Sequence, residues 1–156
     1  MREAIELAAT TPAGDVPVAA LVYSPSGEVI GRGVNRREAD GDPTAHAEML
    51  AIRQAARALG WWRLDGCEIV VTLEPCTMCA GAILGARCRS LVFGAFEPKT
   101  GAVGSLFDAV RDPHHLHRLE VRGGVLKSET SQLLTDFFGG LRAEKVGEQL
   151  RSLGFQ

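Results

Sequence analysis

The sequence predicts an α/β sandwich, and three observations carry that reading. Two compact apolar runs, Cys67 to Leu73 with EIVVTL at its heart and Ser90 to Ala95, lack the alternation of a half-exposed strand. They read as strands buried on both faces. Helically spaced segments precede and separate them, so strand and helix alternate through the middle of the chain, the pattern of parallel-stranded α/β proteins. Near the N-terminus, two β-rich runs flank a turn and predict a hairpin. At 156 residues, with no internal repeat, low-complexity tract or Pro/Gly-rich linker, one domain over 1–156 is expected.

The elements follow in order. Met1 to Ala9 reads as a short helix with Ile5 and Ala8 or Ala9 facing inward. Val16 to Tyr23 is the first strand of the hairpin. Ser24-Pro25-Ser26-Gly27 supplies its turn, with Pro second and Gly fourth. Glu28 to Asn35 returns as the second strand, and Asp40 to Pro43 is a loop. Thr44 to Leu59 carries Met49, Ile52, Ala56 and Leu59 at helical spacing, and Gly60 stops it. Pro75 suits the first turn of a helix that runs to about Gly85, since its missing N–H costs nothing there. Gly101 to Gly104 is a loop, and Ser105 to Val110 is expected to form a short helix. Leu119 to Leu126 contains a fifth strand, broken at Gly123-Gly124. Ser128 to about Arg142 is a terminal helix with Leu133, Leu134, Phe137 and Phe138 to bury, weakened or ended by Gly139-Gly140.

Composition narrows the function classes. Net charge is −2, so no global polycation marks a nucleic-acid binder, and a polyanion must meet a local basic patch. No stretch approaches the ~18 continuous apolar residues of a membrane span. Glu3 and Glu6 interrupt the first ten residues, unlike a secretory leader. A cytoplasmic protein without a membrane partner is expected. In that compartment a close cysteine pair is more often metal-binding or catalytic than a disulfide.

Two fragments carry chemistry: Thr44-Ala45-His46-Ala47-Glu48 and Glu74-Pro75-Cys76-Thr77-Met78-Cys79. Each opens a predicted helix. Cys76 and Cys79, three apart, share a helical face and can grip one zinc ion. A helix N-terminus favours the thiolate form that a metal needs. His46 adds a third ligand, which leaves the fourth tetrahedral position open, as in catalytic zinc sites. A water held there ionises near neutral pH. Glu48, two residues from His46, is placed to move that water's proton to a leaving nitrogen. The combination performs hydrolytic deamination, and H-x-E followed by P-C-x-x-C is the signature of zinc nucleobase deaminases. A structural zinc would need a fourth ligand, for which Cys67 and Cys88 are the candidates; both read better as core thiols. A redox dithiol would leave His46 and Glu48 unexplained.

Beyond these fragments, the chain resembles the bacterial tRNA-specific adenosine deaminases of the cytidine-deaminase-like superfamily. The resemblance runs from about Gly14 to Arg142, through GDVPVAALV at 14–22, VNR at 34–36, DPTAHAEMLAIRQA at 42–55, VTLEPCTMCAGAI at 71–83, VFGAFEPKTGAVGS at 92–105 and LLTDFF at 133–138. It implies a three-layer sandwich with a five-stranded mixed sheet flanked by helices. It implies conversion of adenosine to inosine at the wobble position of an arginine tRNA anticodon, with His46, Cys76 and Cys79 binding one zinc ion and Glu48 shuttling protons. It further implies that Asn35 hydrogen-bonds the base, that Glu97 and Lys99 contact the anticodon backbone, that His117 sits near the pocket rim, and that the chain is a homodimer. Residues read without the resemblance leave Asn35 as a strand-end turn residue and Glu97 and Lys99 as solvated loop.

The chain departs from the family at three places, one of them an N-terminal helix shorter than the family's. Leu116-His117 stands where Asn-His is frequent. The tail after Phe138 reads Gly139-Gly140-Leu141-Arg142, with Lys145 and Arg151 among acids, where the family is usually rich in arginine. Phosphate contacts there are expected to be fewer. The alternatives are a deaminase of free bases on the same fold and a catalytically silent, RNA-binding zinc protein. Intact Glu48 argues against the second.

Overall fold

Five strands, β1 (Ala19–Tyr23), β2 (Val29–Val34), β3 (Glu68–Leu73), β4 (Ser90–Ala95) and β5 (Glu120–Arg122), form one sheet in the order β2-β1-β3-β4-β5. The computed structural model describes residues 1–152. β1 runs antiparallel to both β2 and β3, whereas β3, β4 and β5 are parallel, so the sheet is mixed. The helices are α1 (Arg2–Ala8), α2 (Arg37–Asp40), α3 (Ala47–Leu59), α4 (Thr77–Gly85) and α5 (Lys127–Ser152).

The strand pleat divides the core into two layers of side chains. Ala20, Val22, Ile69, Val71, Leu91 and Phe93 pack against α3 and α4. Leu21, Val70 and Val92 point the other way and meet Ala4 of α1. Gly94 lies on that second face. A Cβ there would stand 2.5 Å from Thr130 Cγ2, so the buried Thr130 of α5 seats directly on the strand backbone. Helices therefore cover both faces, giving the three-layer sandwich.

The packing of α3 explains how the site is aimed. Its innermost stripe is Ala47, Ala51 and Ala55, each fully buried. Opposite it, β2 offers Gly31 and Gly33. A Cβ on Gly33 would lie 2.2 Å from the Ala47 carbonyl oxygen, and one on Gly31 equally close to that of Ala51. Only glycine lets helix and strand approach this far. Gly33→Ala is therefore expected to force α3 outward and to cost about 3 kcal/mol of stability, as overpacking does. Urea denaturation measures it, and an unshifted midpoint would contradict the account.

Several expectations need correction. In α1 the inward residues are Ala4 and Ala8, with Ile5 only half-buried and Ala9 exposed. In α3 the alanine stripe, rather than Met49 and Leu59, faces the core; Leu59 is exposed. The short α2 was not foreseen. Ser105 to Val110 forms no helix, because the nearby amides of Val103 and Ser105 bond to Glu74 and Val103 bridges to Asp108. β5 is only three residues long and ends at Gly123, where a Cβ would strike the Phe93 ring. α5 continues through Gly139-Gly140. Neither glycine takes a positive φ, and strong helix formers from Leu141 to Lys145 follow. The expectation for Arg151 falls on a side chain outside the described residues.

Candidate active site and metal centre

The site lies at the end of the sheet where β3 and β4 finish. In α/β sheets ligands gather beyond the carboxyl ends of parallel strands. β1 runs antiparallel to β3, so Val16 and Val18, before β1, and Asn35, after β2, arrive at the same end. Val16, Val18, Asn35, Arg37, His46, Glu48, Leu73, Cys76, Glu97, Thr100, Leu134 and Phe138 are among the residues lining a cavity of about 200 Å³.

Two helix starts form its floor. His46 is the N-cap of α3 and Cys76 the N-cap of α4. His46 Nδ1 lies 3.7 Å from Cys76 Sγ and 3.6 Å from Cys79 Sγ. The three donor atoms all lie within 4.8 Å of one another. A tetrahedral zinc with ordinary Zn–N and Zn–S bonds holds such atoms about 3.6 Å apart. The spacing therefore fits the ion, and thiolate with imidazole is a donor set suited to it. Among the described residues, no other His, Cys, Asp or Glu joins this group. Cys67 and Cys88 are buried in the core just before β3 and β4, at the opposite end of the sheet. The set is thus three ligands, the number found at catalytic rather than structural zinc.

Electrostatics suit this role. A hydrogen bond from the Cys79 thiol, opposed by burial and helped by His46, pulls the Cys76 thiol down to about 4. The same hydrogen bond, with burial, pushes Cys79 up. His46 is raised by its hydrogen bond with Cys76. Glu48, in the first turn of α3, is 4% exposed. Burial pushes its carboxyl up to about 7, against hydrogen bonds from its own backbone and from Cys79.

The remaining expected residues divide. Asn35 lines the cavity, its amide donating to the Val16 carbonyl at 3.2 Å. Glu97 lines it too. Lys99 instead lines an adjoining groove of about 590 Å³, with Leu134, Phe138, Arg142 and Lys145. His117 does not reach the site. Its Nε2 meets the Cys88 carbonyl at 2.5 Å, at the start of β4 and hence the far end of the sheet. The expectation of a rim histidine is therefore corrected: the parallel pairing of β5 with β4 puts the segment before β5 away from the pocket.

Sequence reasoning missed Arg37, Leu134 and Phe138 as pocket residues. Arg37 rides on α2, whose start is tied down by the buried Asp15 carboxylate, accepting the Glu38 and Ala39 amides at 2.8 and 3.0 Å. Leu134 and Phe138 were expected in the core. Their spacing of four and eight residues from Thr130 was the available signal, because the residue seated on Gly94 fixes which face of α5 looks at the site.

A sandwich with a three-ligand zinc group at two helix starts and a buried carboxylate beside it defines the zinc-dependent nucleobase deaminases. Residues 1–95 match the family model of the cytidine and deoxycytidylate deaminase zinc-binding region, and the chain belongs to that family. It is 48% identical to the tRNA-specific adenosine deaminase of Haemophilus influenzae over 98% of this chain and 90% of that protein. A solved structure from work on A-to-I editing by tRNA:A34 deaminases superposes with a TM-score of 0.77 at 44% identity, covering 86% of this chain and 97% of that one. The guanine deaminase of Nitrosomonas europaea is more distant, with a TM-score of 0.66 at 31% identity over 87% of this chain and 77% of that one. The chain is a zinc-dependent deaminase, and no helix among the described residues is long and apolar enough to cross a membrane.

Proposed function

We propose that this chain converts adenosine to inosine at the wobble position of a tRNA, that of an arginine tRNA in particular. It acts as one cytoplasmic catalytic domain that pairs with a second copy. The observation that carries the reading is near-full-length similarity to tRNA-specific adenosine deaminases, joined to a pocket of the right size. A cavity of about 200 Å³ is smaller than the roughly 300–1,000 Å³ of drug-sized sites. It takes a single extruded base while the strand stays outside. The adjoining groove offers Lys99, Arg142 and Lys145 to phosphates and the half-exposed Phe138 to a neighbouring base. Two tail cations therefore remain available despite the loss of the family's arginines.

His46, Cys76 and Cys79 would hold the zinc ion, which supplies Lewis acidity that makes water nucleophilic near neutral pH. Asn35 orients the base between Val18 and Leu73. Glu48 accepts a proton from the attacking water and delivers it to the departing C6 amino group. Its burial keeps bulk water from taking over that transfer. Water enters and ammonia leaves: one proton of the water goes out with the amine, the other ends on ring N1, and the adenine amino carbon becomes the inosine carbonyl.

The test is direct. The zinc-loaded chain is incubated with an arginine tRNA bearing adenosine at the wobble position, and the digest is examined for inosine. Guanine, cytosine and cytidine run in parallel. Inosine in the tRNA is the expected result. Ammonia from a free base without inosine in the tRNA would transfer the chain to the free-base deaminases.

A further inference from the structure

Glu74 stands immediately before the zinc motif, is 2% exposed and has no part in the chemistry described above. Its carboxylate is surrounded by donors. It accepts the backbone N–H of Glu97, Val103 and Ser105, each at 3.0 Å, and a short bond from the Ser105 hydroxyl. These four donors come from one irregular segment, residues 97–105, that follows β4. A segment without helix or strand must find partners for its amides elsewhere, and here one side chain supplies three of them. The backbone adds two ties: the Ala102 N–H donates to the Pro75 carbonyl at 2.8 Å, and Gly101 bridges to Cys76. Gly101 must be glycine, since a Cβ would lie 2.5 Å from Glu74 Cδ. The segment wrapped on this carboxylate carries Glu97 and Thr100 into the pocket wall and Lys99 into the groove.

We propose that Glu74 is a positioning residue: its buried carboxylate fixes residues 97–105 as the substrate-facing wall of the pocket, and so sets how well the nucleotide docks. The proposal rests on the deaminase reading above. It separates two functions within Glu74-Pro75-Cys76, with the thiolate serving the metal and the carboxylate serving the wall. Every hydrogen-bond partner of the carboxylate is a donor. Glutamine at this position therefore turns an NH2 towards at least one N–H and unpairs it.

The test uses the zinc-loaded chain and two variants, Glu74→Gln and Ser105→Ala. In Glu74→Gln, zinc content stays at the wild-type level, KM for the tRNA substrate rises about 10-fold and kcat changes less than about 3-fold, the scale of one lost charge-assisted hydrogen bond. Amide hydrogen exchange at Glu97, Val103 and Ser105 accelerates, while β3 and α4 keep their protection. Ser105→Ala shows the same local acceleration and a smaller KM rise. It carries the test alone if Glu74→Gln does not fold. Unchanged exchange across 97–105, a kcat loss without a KM change, or loss of zinc would each overturn the proposal. Exchange needs no substrate, and wild-type turnover is measured separately. Failure of the clamp is therefore distinguishable from failure of the deaminase assignment.

Discussion

Glu48→Ala is expected to lower kcat by at least about 1,000-fold, the upper range for removing a general acid–base, while leaving zinc at its wild-type level. Both halves follow from position. Glu48 lies beside the metal group but supplies no ligand atom to it, since the group closes on His46, Cys76 and Cys79 alone. Its carboxyl is buried within the cavity wall, so bulk water cannot substitute for it. Metal analysis alongside single-turnover kinetics on the tRNA decides the matter. Loss of zinc with Glu48 would make it a ligand and refute its assignment as the proton carrier.

Cys76→Ser produces the opposite pairing, in which metal and activity disappear together. The variant is informative because it isolates the sulfur. Cys76 is the N-cap of α4, and serine is among the residues favoured at that position. The helix start therefore survives, and what is lost is a thiolate, for which a neutral hydroxyl is a poor replacement at zinc. Unchanged circular dichroism with zinc below about one tenth of the wild-type content is expected. Zinc retained at full occupancy would show that the ligand set is wrong.

Much of this was legible in the residues because it depends on short spacings. Cys76 and Cys79 are three positions apart, His46 and Glu48 are two apart, and each pair opens a helix at a loop. Strand β4 was read to the residue, since six consecutive buried positions admit little else. Other parts were illegible for a physical reason. The α3 core stripe is made of alanines, which register weakly beside Met49 and Leu59, and its burial depends on glycines in β2 far along the chain. His117 looked suitable as a rim residue, but the direction of β5 relative to β4 decides which end of the sheet it occupies, and no local spacing reports strand direction. Leu134 and Phe138 read as core because their apolar character is the same whether they face a sheet or a pocket. The helix at Ser105 failed because a distant carboxylate claims the neighbouring amides, a competition that propensities do not include.

The seating of Thr130 on Gly94 has a consequence for how such an enzyme can change. It pins α5 at its root, and from there the helix extends to Ser152 as a lever. Leu134 and Phe138 line the pocket near that root, and the helix continues past them away from the metal group. Substitutions in the distal arm alter reach and grip without disturbing the metal. Substrate range and catalytic chemistry can therefore change separately.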